Sequence, residues 1–308
     1  MAIRRGTFNL VLLGVAGALG VAVWLGQKKD ETGPPLTPLK SGDVTKIVLE
    51  HPRAAAIRLE KQDGRWRLTA PVAVDAEVLE VSSLTALAER DTKEKLERAQ
   101  LSLAELKLDP PEYSLTLNDV KLDFGMVEPL QYRRYVKRGD EVFLLEDPPT
   151  AALDADYSDL VAKNLLPEGA EIARVELPKL ALVRAADARG WQLSPADPKA
   201  GADQLQKMAD AWRTARAMWN EMPKDVAALK GERVRVVLKD GSAREFVVTQ
   251  RDPQFQLYRA DLGVVYTLSK ALQDEMLKVP EPPPADKKPE AAGTAPAKPA
   301  PEAAPPGK

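Results

Sequence analysis

Ile57-Arg58-Leu59-Glu60, then Gly64-Arg65-Trp66-Arg67-Leu68, then Pro71 and a helical stretch opening at Asp75, form an order that the chain repeats. It returns as Leu180-Ala181-Leu182-Val183, Arg189-Gly190-Trp191-Gln192-Leu193, Pro195 and a helical stretch opening at Asp203. One more alternating run precedes each copy, Val44-Thr45-Lys46-Ile47-Val48-Leu49 and Ile172-Ala173-Arg174-Val175-Glu176-Leu177. Successive side chains of a strand point to opposite faces, so apolar residues at every second position predict half-buried strands. An ordered set of elements met twice predicts two copies of one lobe.

The downstream halves agree as well. Ser114-Leu115-Thr116-Leu117 with Leu122-Asp123-Phe124-Gly125 compares with Arg235-Val236-Val237-Leu238 and Arg244-Glu245-Phe246-Val247. Tyr132 to Val136 with Val142-Phe143-Leu144-Leu145 then compares with Gln256 to Arg259 and Val264 to Leu268. Arg138-Gly139-Asp140 and Asp261-Leu262-Gly263 break these last pairs as hairpin turns. Between the halves, Asp75 is read as the cap of a helix with Val78, Val81, Leu84 and Ala88 on one stripe. Asp203 is read as the cap of a helix with Leu205, Met208, Trp212, Ala215 and Trp219. The fold class expected is α+β: one N-terminal transmembrane helix, then two similar lobes of mainly antiparallel sheet with packed helices, over 44–167 and 168–279.

Outside the lobes the composition changes. Phe8 to Leu25 is eighteen residues without a charge, about 27 Å as a helix at about 1.5 Å per residue, close to a bilayer core. Arg4 and Arg5 precede it, Lys28 and Lys29 follow it, and Trp24 stands at its end, where an amphipathic ring prefers the interface. Residues 1–26 are therefore read as a cytoplasmic start and signal anchor at the inner membrane, with the bulk of the chain on the periplasmic side. A cleaved signal peptide ending near Ala16-Gly17-Ala18 is the competing reading. Residues 27–43 read as a proline-rich tether. Residues 280–308, rich in proline and alanine, read as a disordered tail.

Charge is nearly balanced, 44 basic against 46 acidic residues, which argues against a nucleic-acid partner. With no cysteine and one histidine, a Cys/His zinc site, an iron–sulfur cluster and a cysteine nucleophile are excluded. His51, before Pro52, reads as a turn residue, and no G-x-S-x-G elbow accompanies it. Asp154, Asp156 and Asp159 read as a helix start rather than a cation loop. No glycine-rich phosphate cradle is present. Catalytic, cofactor and metal residues are all expected to be absent, with scattered carboxylates the one chemistry left open. Trp66 and Trp191, at matching positions, read as core anchors. Glu89 to Arg98 reads as a solvent-facing helix or loop. The densest basic stretch is a candidate interaction surface: Tyr132, Arg133, Arg134, Tyr135, Lys137 and Arg138. On a strand it splits, with Arg133, Tyr135 and Lys137 on one face and Tyr132, Arg134, Val136 and Arg138 on the other.

Taken together, the membrane segment, the Ile57–Lys61 to Gly64–Leu68 strand pair, Pro71, Asp75 and the run Tyr135-Val136-Lys137-Arg138-Gly139 leading to Val142-Phe143-Leu144-Leu145 carry a resemblance. Over about residues 44–275 the chain resembles bacterial DUF4340 domain-containing proteins. That resemblance implies an envelope protein, some relatives of which are encoded beside ABC-type export systems, and it implies no catalytic residue. The function expected is a non-catalytic, membrane-anchored accessory subunit whose partner is another envelope protein such as a transporter subunit. Binding of envelope glycan or peptidoglycan is the first alternative, and carboxylate-based glycan hydrolysis the second.

Overall fold

Ile47 and Leu49 are fully buried, Val48 between them is half-buried and Lys46 and Glu50 on either side are exposed; the same alternation recurs over Ile57–Leu59, Arg133–Val136 and Val234–Leu238. The computed structural model describes residues 13–19, 33–147, 153–185 and 190–279. In chain order the first lobe holds β1 (Lys46–Glu50), β2 (Ile57–Gln62), β3 (Arg65–Ala70), β4 (Val74–Asp75), α1 (Val78–Ala86), β5 (Glu94–Leu96), β6 (Tyr113–Leu117), β7 (Val120–Val127), β8 (Arg133–Arg138) and β9 (Glu141–Glu146). The single turn α2 (Tyr157–Leu160) leads to the second lobe. There follow β10 (Ile172–Glu176), β11 (Ala181–Arg184), β12 (Trp191–Ser194), α3 (Ala202–Thr214), β13 (Trp219–Glu221), β14 (Glu232–Leu238), β15 (Ala243–Gln250), β16 (Phe255–Arg259), β17 (Val264–Leu268) and α4 (Lys270–Leu277).

Each lobe is one antiparallel sheet. The first has nine strands in the order β4-β3-β2-β1-β6-β7-β8-β9-β5, the second eight in the order β12-β11-β10-β14-β15-β16-β17-β13. With β4 set aside, the two orders match strand for strand. Trp66 on β3 and Trp191 on β12 occupy the same place in them. Pro71 and Pro195 follow those strands, each after a cis peptide bond.

Helix content is lower than an α+β reading implies, and the sheets dominate. Asp75 is not a helix cap: it pairs with Arg67 at 2.7 Å from within β4. The cap position falls two residues later, at Glu77, and α1 begins at Val78, which is exposed while Val81 and Leu84 are buried. Asp203 sits inside the first turn of α3 behind Gly201. Leu205, Met208, Trp212 and Ala215 are buried as the stripe requires, but Trp219 belongs to β13 and is exposed. Within Glu89 to Arg98 the chain makes β5 rather than a helix. The acidic run does start a helix: Asp156 caps α2, with Asp159 returning to the Asp156 N–H as a capping box.

Of the anchor expected at Phe8–Leu25, only residues 13–19 are described, and they are helical and exposed; the rest lies outside the described residues, as does the 280–308 tail. Among the described residues no helix is long and apolar enough to cross a membrane. Of the tether expected over 27–43, residues 33–43 are described, and part of them is packed: Leu36 is fully buried and Thr37 nearly so.

Candidate functional site

Two extended straps pair with corresponding segments of the two lobes, the first within the first lobe and the second across the junction. In the first, Leu36 N–H donates to Arg90 O and Thr92 N–H to Pro34 O. In the second, Leu165 N–H donates to Ala215 O and Ala217 N–H to Lys163 O. The second strap also pairs backward with the first lobe, through Ala162 N–H to Asp75 O and Glu77 N–H to Leu160 O. One strand-like segment thus hydrogen-bonds both lobes. Glu77, 4% exposed, clasps the junction by accepting from Lys163 N–H at 3.1 Å and from Arg216 Nη2 at 2.7 Å. Burial pushes its carboxyl up, but Arg216, the Lys163 amide and the two positive charges outweigh this and hold it below the usual range. Tyr157 adds a second tie, its hydroxyl donating to Leu262 O at 2.9 Å. The chain can approach so closely there because Gly263, at φ +65°, has no Cβ; one added would meet the Tyr157 hydroxyl at 2.8 Å.

Beside the second strap the lobes leave a cleft of about 840 Å³. The first lobe lines it with the β2–β3 turn, Trp66, the Arg67–Asp75 pair, Val74 and Ala76; the strap adds Leu165, Leu166 and Pro167; the second lobe adds Arg244, Arg259, Asp261 and Tyr266. Trp66 is only half-buried, a wall of this cleft as well as a neighbour of the core, whereas Trp191 is buried beneath the Arg184 guanidinium at 5.0 Å. Arg259 is buried and gives Nε and Nη2 to Asp261 at 3.1 and 2.6 Å. Tyr266 is fully buried and its Oη has no hydrogen-bond partner. It stands beside Arg259, within reach of a weak side-chain interaction that raises the guanidinium and lowers the phenol, though not at ordinary hydrogen-bond distance and angle. Burial dominates and pushes the Tyr266 phenol up to about 12.

A glycosidase acid needs a carboxyl raised toward neutrality. Asp261 goes the other way: burial raises it, but the Arg259 hydrogen bonds and charge bring it below its ordinary value. Asp75 is taken by Arg67. Among the described residues no three His, Asp or Glu side chains gather as a metal site, and His51 Nε2 lies 2.6 Å from Leu153 O.

The basic stretch lies on β8, where the alternation splits it between two faces. Arg134 is 7% exposed and serves the core, reaching Asp147, Glu112 at 3.1 Å and Gly125 O at 2.9 Å, with its guanidinium 5.3 Å from the Tyr113 ring centre. Lys137 pairs with the buried Asp123 at 2.8 Å. Arg138 reaches Leu36 O and Glu141. Arg133 and Tyr135 are half-buried, and Tyr132, just outside the strand at φ 54°, is 75% exposed. Arg134, Lys137 and Arg138 are therefore committed to partners inside the lobe.

Sequence reading missed the outer strands. β5 bears Glu94 and Lys95, both exposed, with Lys95 on Glu141 at 2.6 Å. β13, in the same place of the second sheet, bears exposed Trp219 and is flanked by exposed Met218 and Met222. A family model described as Domain of unknown function (DUF4340) matches residues 66–253. None of the curated proteins and none of the solved structures compared matches the chain.

Proposed function

We propose, for a chain that belongs to the DUF4340 family, the role of a non-catalytic accessory subunit, anchored in the inner membrane by Phe8–Leu25 and docked on another envelope protein such as a subunit of an ABC-type exporter. The observation that carries this reading is the contrast between the two outer strands. Sheet edges are open templates for pairing, and folds normally blunt them with charge. β5 is blunted in this way by Glu94 and Lys95. β13 carries one exposed charge, Glu221, which accepts from Gln256 on the sheet, but it also exposes Trp219, with Met218 and Met222 at its two ends, residue types enriched at protein interfaces. The occupant that fits it is an extended apolar strand from a neighbouring membrane protein, adding to the second sheet beside β13. A membrane anchor keeps such a partner at high effective concentration, so a small edge is enough.

Site-specific photo-crosslinking in native membranes tests this. A photoreactive residue at position 219 is expected to give a light-dependent adduct with a transporter subunit, identified by mass spectrometry, while the same residue at position 95 gives none. Equal adducts from both positions, or none from 219, would remove the basis of the reading.

A further inference from the structure

The first lobe holds counterparts of the residues at the inner end of the cleft. Arg138 and Glu141 close the β8–β9 turn, and the next pair on the same face is Val136 with Phe143. Arg259 and Val264 close the β16–β17 turn, and the next pair on that face is Leu257 with Tyr266. Arg138 therefore corresponds to Arg259, Phe143 to Tyr266, and, by the strap bonding, Leu36 to Leu165. In the first lobe Arg138 lies 5.1 Å from the Phe143 ring centre and reaches the Leu36 carbonyl of the strap. In the second lobe the arginine turns to Asp261, Leu165 lines an open cleft, and a phenol whose hydroxyl has no partner replaces the phenyl ring. A buried hydroxyl without a partner is disfavoured and calls for a reason. A chain that needed only a packed core at this point has phenylalanine available, as its other lobe demonstrates.

We propose that the inner end of this cleft, framed by Arg244, Arg259 and Tyr266, binds the free carboxylate of a short apolar peptide. Of the lining residues supplied by β15 to β17 and their turn, Arg244 and Arg259 are cationic, Tyr266 can donate, and Asp261 alone is anionic. Guanidinium groups bind carboxylates through paired, charge-assisted hydrogen bonds, and a peptide carboxy terminus offers that group at the end of an extended chain. The rest of the lining pairs an apolar patch, Val74, Ala76, Leu165, Leu166 and Pro167 with Trp66, which suits aliphatic side chains, with the polar β2–β3 turn, the Arg67–Asp75 pair, Asn164 and Glu168. The volume, about 840 Å³, falls in the range of pockets that enclose small ligands.

This site is independent of the β13 edge, so its failure would leave the accessory reading standing. The test is calorimetric titration of the full chain in detergent with acetyl-Leu-Ala-Leu-Ala as the free acid, the same peptide as its carboxy-terminal amide, and a digalacturonate. The acid is expected to bind and the amide to bind at least tenfold more weakly. Arg244→Gln is expected to weaken the acid at least tenfold, and Tyr266→Phe several-fold without lowering the melting temperature, since phenylalanine already serves at position 143. Equal binding of acid and amide, no binding of either, binding of the digalacturonate in their place, or indifference to Arg244→Gln would each overturn the proposal.

Discussion

Trp212→Ala is expected to destabilise the fold by about 3–5 kcal/mol, the cost of deleting a buried aromatic side chain. Trp212 is fully buried on α3, its ring 5.9 Å from that of Phe246 on β15. Its Nε1 donates to Met276 O at 2.8 Å, so one residue joins α3, the sheet and α4. Alanine would leave a cavity and an unpaired carbonyl together. Trp212→Phe keeps most of the packing and should lose about half as much. Urea denaturation should show the midpoint falling with an unchanged slope. Trp219→Ala, on the exposed edge, is the control and should move stability by no more than about 0.5 kcal/mol. A Trp212→Ala loss below about 1 kcal/mol would mean that α3 does not hold the second lobe together.

The second large effect lies at the junction. Glu77→Ala leaves Lys163 N–H without its acceptor and removes the Arg216 pair. Arg216 is 49% exposed and can return to water, so the expected loss is about 2–3 kcal/mol, less than for a fully buried pair. The sign of the pH effect follows from the lowered carboxyl. The unfolded chain binds the proton more tightly, so the stabilisation is complete above the ordinary value of 4.5 and is lost as pH falls below it toward the folded-state value. Denaturation series between pH 7 and pH 3 should show wild type losing more stability than Glu77→Gln. Parallel curves would assign the acid sensitivity to other carboxylates.

Much of the sheet architecture was legible because its signals are local and periodic. The hairpin turns at Arg138-Gly139-Asp140 and Asp261-Leu262-Gly263 fall where strands alternate cleanly, and both are turns in the structure. β5 and β13 were illegible because three residues carry no measurable period. Trp219 also falls at helical spacing from Trp212 and Ala215, so the helix pattern absorbed it. Asp75 looked like a cap because Asp before an apolar stripe is the usual signal; Arg67, across the β3–β4 pairing, takes the carboxylate instead. The cleft gave no local sequence signal. Its residues come from segments far apart in the chain, and Arg259 and Tyr266 read locally as ordinary strand residues. The one available clue was internal, the exchange of phenylalanine for tyrosine between otherwise matching hairpins.

The accessory role is tested most directly by quantitative co-purification from native membranes in mild detergent, comparing wild type with the doubly substituted Trp219→Asp, Met222→Asp chain. Wild type is expected to bring down transporter subunits in near-stoichiometric amount, and the edge variant, equally folded and equally abundant, to lose them at least tenfold. Recovery of the wild-type chain alone, or equal recovery of partners by both chains, would contradict the account.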